Sequence, residues 1–191
     1  MLKTMLRSAK EFCGYGVYTA DAYIGKIREF YLNDREWSLS CIAVSTADGP
    51  NGKGIYLSSR SFEEADPDLK RFFIQQRIEV PAPDPSLKPV RRLFGFLARA
   101  RDGRVGQVED VVLNDADLSV RYLVLNAEML GKKFIVSPWK VEKIDWRSGK
   151  IQLHTGLAEI YQNPEYNFHM PVSREYENEL YEHYGKQSYW T

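Results

Sequence analysis

The chain has 191 residues, 43% hydrophobic and 27% charged, the proportions of a globular protein with a core to bury. Lysine plus arginine equal aspartate plus glutamate at 26 each, so no global positive field gathers phosphates and non-specific nucleic-acid binding is disfavoured. No stretch approaches the roughly 20 apolar residues of a membrane span, residues 1–7 lack the apolar run of a secretory signal, and Cys13 and Cys41 alone make no disulfide framework, so a soluble cytoplasmic protein with reduced thiols is expected.

Along the chain, one segment repeats. GYGVYTADAYIGKIREFYLNDREWSLSCIAV, from Gly14, aligns without a gap on GFLARARDGRVGQVEDVVLNDADLSVRYLVL, from Gly95, at an offset of 81. Identities fall at Gly14 and Gly95, Asp21 and Asp102, Gly25 and Gly106, Leu32-Asn33-Asp34 and Leu113-Asn114-Asp115, and Ser38 and Ser119. After a two-residue shortening the match resumes at an offset of 79, with Asp66 on Asp145 and Phe72 on Ile151. Each copy reads as short strands joined by turn chemistry.

In the second copy, strands are expected over 96–101, 105–113, 120–126, 134–137, 141–145 and 150–154. Asp102-Gly103 is the dipeptide that best supplies the positive φ angles of a tight hairpin. Asn114-Asp115 makes the next turn by bonding its own backbone. So many short strands at near-regular spacing point to a closed or nearly closed barrel. The fold class expected is therefore mainly β: two small barrels in tandem with a short C-terminal helix.

The domains are a first barrel over 1–80, a proline-rich linker over 81–89, a second barrel over 90–170 and a helical tail over 171–191. Pro81, Pro83, Pro85 and Pro89 stiffen the linker toward polyproline II. In the tail, Ser173 caps a helix over 174–184 that Gly185 stops. Tyr176, Leu180 and Tyr184 share a stripe bordered by Tyr181. A helix docked by that stripe on the second barrel is the first reading, and these four residues are the partner-binding candidates of the second.

The opening of each unit, Ile24-Gly25-Lys26-Ile27 or Val105-Gly106-Gln107-Val108 followed by Leu-Asn-Asp and an apolar strand, resembles the PRC-barrel domain. Leu6-Arg7-Ser8-Ala9-Lys10-Glu11 is similar to that family's lead-in. Ser173-Arg174-Glu175-Tyr176-Glu177, continuing through Leu180 to Tyr189-Trp190, resembles the ending of two-copy bacterial members. The family takes its name from the cytoplasmic domain of the photosynthetic reaction centre H subunit, and a related barrel occurs in a ribosome maturation factor. The resemblance implies a non-enzymatic protein-binding or scaffold protein, with peripheral association to a membrane complex of the reaction-centre kind. An RNA- or ribosome-associated factor is the alternative. The H subunit's N-terminal membrane helix and the ribosome factor's other domain have no counterpart here.

Chemistry-bearing motifs are sparse. His154, His169 and His183 lie 15 and 14 residues apart, without the close ligand pair of a metal site. Neither cysteine has a neighbouring base, and Asp21, Asp34, Asp102 and Asp115 are explained by turns. Residues 49–54 lack the strand-to-helix setting of a phosphate loop. No catalytic, cofactor-binding or metal residue is expected. Lys132, Lys133, Lys140, Lys143 and Arg147 form a basic margin that reads as a solvated sheet edge or, in the RNA alternative, as a contact surface.

Overall fold

A computed structural model describes residues 6–46, 54–127, 130–167 and 172–187. The chain is mainly β and divides into two compact units, one of residues 1–92 with 113–120, the other of 93–112 with 121–191. The first unit begins with Leu6–Ser8 (β1) and Ala9–Phe12 (α1), whose N-cap Ser8 accepts from Glu11 N at 3.1 Å. The strands Gly16–Tyr18 (β2), Tyr23–Asn33 (β3), Ser38–Thr46 (β4), Gly54–Ser58 (β5), Phe62–Asp66 (β6), Arg71–Ile74 (β7) and Glu79–Val80 (β8) follow. They pair in the order β6-β7-β2-β3-β4-β5-β8, with Lys88–Pro89 (β9) on β3.

The second unit is built chiefly from Leu97–Ala100 (β10), Gly103–Asn114 (β11) up to Val112, Val120–Ala127 (β12) from Arg121, Lys132–Val136 (β13), Val141–Asp145 (β14) and Lys150–Leu153 (β15), then helices Leu157–Tyr161 (α2) and Arg174–His183 (α3). Its ladder runs β13-β12-β11-β10-β15-β14.

The registers of the two ladders correspond at the sequence offsets. Val17 pairs with Gly25 as Ala98 does with Gly106. Val17 also pairs in parallel with Phe72, as Ala98 does with Ile151. Ile42 faces Leu57, and Leu123 faces Val136. The irregular backbone corresponds too: Trp37 and Leu118, 81 residues apart, take positive φ values of 51° and 56°. A left-handed conformation costs a side-chain-bearing residue about 1–2 kcal/mol, so the turn around each must hold it. Asn33 Oδ1 accepts from Arg35 N at 3.1 Å and Asn114 Oδ1 from Ala116 N at 3.0 Å, the local bonding expected of these turns.

Gly25 and Gly106 are needed for close approach. A Cβ on Gly25 would lie 2.0 Å from Ser45 O, and one on Gly106 2.1 Å from Asn126 O. Both units are filled by side chains. In the first, Phe12 meets Phe30 and Phe72 at ring-centroid distances of 6.4 and 5.8 Å. In the second, the buried positions are chiefly aliphatic, among them Val111, Leu123, Leu125, Ile135 and Ile151.

Two expectations need correcting. The Asp102-Gly103 turn has no positive φ. Instead Asp102 Oδ1 accepts from Leu157 N at 2.8 Å, and the Leu157 side chain stands 2.6 Å from where a Gly103 Cβ would be. The dipeptide seats α2. Neither ladder closes into a barrel through its end strands among the described residues. Later segments occupy the edge that closure would use: β8 pairs with β5, while Ile135 O and Lys133 O of β13 accept from Asn163 Nδ2 at 3.1 Å and Tyr166 N at 3.3 Å.

Candidate interaction surface

Helix α3 is fixed at both ends by local chemistry. Ser173 Oγ accepts from Tyr176 N at 3.2 Å, and Gly185 terminates it with φ +59°. Its inner side carries Leu180, 1% exposed, and Glu177, also 1% exposed. Burying a carboxylate is costly unless its oxygens are bonded. Here Oε1 accepts from the Tyr122 hydroxyl of β12 at 2.8 Å and Oε2 from Arg174 at 2.8 Å. Glu175, Glu179 and Glu182 are exposed, so Glu177 was distinguishable in the sequence only by lying one turn before Leu180.

The four partner-binding candidates all lie on this helix or at its end. Leu180 is buried. The half-buried Tyr176 donates its hydroxyl to Pro164 O at 2.7 Å and packs edge-on to Tyr166 at 5.9 Å. Burial pushes the Tyr176 phenol well above its ordinary value, and burial also raises Tyr181 beside Tyr122. Tyr184 packs on Trp139 at 5.4 Å, and burial pushes its phenol up to about 12. The stripe therefore meets its own unit along its length.

Lys140 completes this contact. Its side chain is 7% exposed, pairs with Glu159, and places Nζ 4.5 Å from the Trp139 ring centroid and 4.2 Å from that of Tyr184. Thr155 donates to the same carboxylate, and His183 Nε2 lies 3.0 Å from Glu159 O. Burial alone would raise the Glu159 carboxyl, but the bonds from Lys140 and Thr155 and the Lys140 charge hold it below its ordinary value. This buried ammonium is spent on an ion pair and two rings.

The basic margin is largely neutralised as well. Lys132 pairs with Glu165 at 3.1 Å and Lys133 with Glu109 at 2.7 Å, alongside the Lys140 pair. The edge strand β14 itself bears exposed Glu142, Lys143 and Asp145, a mixed-charge rim that discourages strand addition.

The second unit does carry a recess of about 170 Å³. Gly106 and Asn126 line it, with Arg104, Leu130 and Tyr161 at its margin. Leu130 is 47% exposed and Tyr161 37%. The Tyr161 ring rests on buried Phe134 at 5.6 Å, and its hydroxyl donates to Arg104 O at 3.4 Å, so it is held in place. The repeat picked out Gly106 through its identity with Gly25, but the approach of Leu130 and α2 beside it was not legible.

His154 lies 6.1 Å from Trp139 by ring centroid, whereas His169 and most of the 49–54 loop lie outside the described residues. Among the described residues no three His, Cys, Asp or Glu side chains converge as a metal-ligand set. Neither cysteine forms a disulfide: Cys13 is exposed, and buried Cys41 has its thiol pushed up to about 11 by burial. No helix among the described residues is long and apolar enough to cross a membrane. No protein-family model matches the chain, and no curated protein matches it.

Proposed function

We propose that this is a non-enzymatic binding or scaffold protein of the PRC-barrel kind. It consists of two copies of one barrel-like unit and a docked C-terminal helix, and acts in the cytoplasm by contacting another protein, including peripheral contact with a membrane complex. The corresponding registers of the two ladders support the two-copy reading. Order and charge account for the buried ionisable groups: Glu177 anchors α3, and Lys140 pairs with Glu159.

The observation that carries the partner reading is the recess beside Gly106, where Leu130 and Tyr161 expose apolar surface. Replacing Tyr161 with Ala and Leu130 with Ser should abolish capture of the native partner while leaving the Tm within a few degrees. Undiminished capture by the double variant contradicts this site.

The second reading, an RNA- or ribosome-associated factor, is favoured by one feature of the first unit: an exposed sheet face where Tyr18, Tyr23 and Phe73 lie beside Arg71. Fractionation on a sucrose gradient, with and without ribonuclease, tests it. A protein that stays at the top of both gradients is not such a factor.

A further inference from the structure

The outer face of β7, β2 and β3 carries two rows of side chains. Tyr18 stands opposite Phe73 on one side and Tyr23 on the other. The ring centroids are 6.0 Å apart for Tyr18 and Phe73 and 5.1 Å apart for Tyr18 and Tyr23. In the next row Gly16 stands between Arg71 and Lys26. The Arg71 guanidinium carbon is 5.1 Å from the Tyr18 ring centroid. The absence of a side chain at Gly16 is what lets the Tyr18 ring lie down there, since an added Cβ would stand 2.7 Å from Tyr18 Cε2.

The second unit acts as an internal control. At the offsets of 81 and 79, Gly16, Tyr18, Tyr23 and Phe73 become Leu97, Arg99, Arg104 and Gln152. The same ladder forms there without a single aromatic ring at these positions, so the fold does not require the platform. Tyr23 is 44% exposed, and Lys26, Arg28 and Arg71 are exposed. Among the described residues these three cations form no ion pair, in contrast to Lys132, Lys133 and Lys140 of the other unit.

Glu64 and Asp66 lie opposite Phe73 and Arg71 along β6, where Asp66 Oδ1 accepts from Leu69 N at 3.0 Å. Negative charge thus borders the rings on the β6 side, where Asp66 stands directly across from Arg71, and Lys26 supplies positive charge on the β3 side. A proline-rich peptide uses an aromatic sheet face but gains nothing from free cations. A ligand with flat π-faces and a row of negative charges uses both.

We propose that this face binds single-stranded nucleic acid, bases stacking on Tyr23 and Tyr18 and phosphates following Lys26 and Arg71. The inference rests on the RNA reading and extends it to a site. Its test is fluorescence anisotropy of labelled ten-nucleotide oligouridylate and oligothymidylate with the full chain at low salt. Tyr23→Ala should weaken binding about tenfold, as loss of one stacked base does. Lys26→Gln should weaken it and flatten the dependence of log K on log salt by about 0.7, the value for one phosphate contact on a single strand. Both residues are exposed, so circular dichroism of each variant should match the parent, which separates lost binding from lost fold. Tighter binding of one oligonucleotide identifies RNA or DNA as the source. Two results overturn the proposal: no binding of either oligonucleotide at about 100 µM protein, a ceiling weaker than stacking and phosphate contact together allow, or binding that neither substitution changes. Ribonuclease-sensitive sedimentation with either of these results removes this face and leaves the RNA reading intact.

Discussion

Tyr122 on β12 donates its hydroxyl to Glu177 of α3 at 2.8 Å, with both side chains 1% exposed. This bond joins strand and tail across 55 positions of sequence. Tyr122→Phe should remove this bond from the buried Glu177 carboxylate and cost about 1–3 kcal/mol. Urea unfolding checks it. A midpoint unchanged from the parent would mean that this bond does not stabilise the fold.

Removing residues 173–191 deletes the whole docked helix. Burial of one large apolar side chain such as Leu180 contributes about 1.5–3 kcal/mol, and Tyr176 and Tyr184 add their ring faces. The truncated chain should melt lower and bind a hydrophobic dye through the uncovered surface of its second unit. An unaltered Tm with no dye binding would show that the helix does not stabilise the fold.

Gly25→Ala and Gly106→Ala should each destabilise the protein by about 1–3 kcal/mol, the usual cost of overpacking. Their added Cβ atoms would stand 2.0 and 2.1 Å from the backbone oxygens of Ser45 and Asn126. The clashes are of the same size at both positions, and Gly25, with its positive φ, should be at least as sensitive. Thermal unfolding of both variants measures this.

Two carboxylates give opposite pH dependences. Burial raises Glu29, which lies against Arg91 Nε at 2.5 Å, so the folded state holds its proton at higher pH than the unfolded state does. Its contribution to stability is full below the ordinary value of 4.5 and is lost as pH rises through the raised folded value. Glu159 is lowered, so its contribution is full above 4.5 and is lost as pH falls through the folded value. Glu29→Gln should therefore flatten the decline above 4.5, and Glu159→Gln the acid loss below it. Unfolding free energy measured from acid to neutral pH checks both signs.

The parts of the fold legible in the sequence are those set by short-range chemistry. Asn33 and Asn114 announced their turns because each bonds the amide two residues on. Ser173 and Gly185 bounded α3 because caps act within one turn. The repeat located Gly25 and Gly106 at equivalent backbone positions because the close approach each makes lies within its own hairpin ladder. Features depending on distant partners were hidden. Asp102 does sit in the hairpin turn between β10 and β11, but its bond to Leu157, 55 positions later, could not be read from the sequence. Lys140 read as part of a charged margin although Glu159 neutralises it, and α1 and α2, with four and five residues, are too short for a periodic pattern. The platform of Tyr18, Tyr23 and Phe73 emerges only when strand register aligns three separated residues.

On the proposed function, this chain works by binding and offers its contacts at defined surfaces. Photo-crosslinking in the native cell tests it most directly, with a photoreactive phenylalanine analogue placed at Tyr161 in one strain, Tyr23 in a second and the exposed Glu142 of β14 in a third. A discrete protein adduct from position 161, absent from position 142, is the predicted result. No adduct at 161 above that seen at 142, in cells where the protein is folded and abundant, would contradict the account.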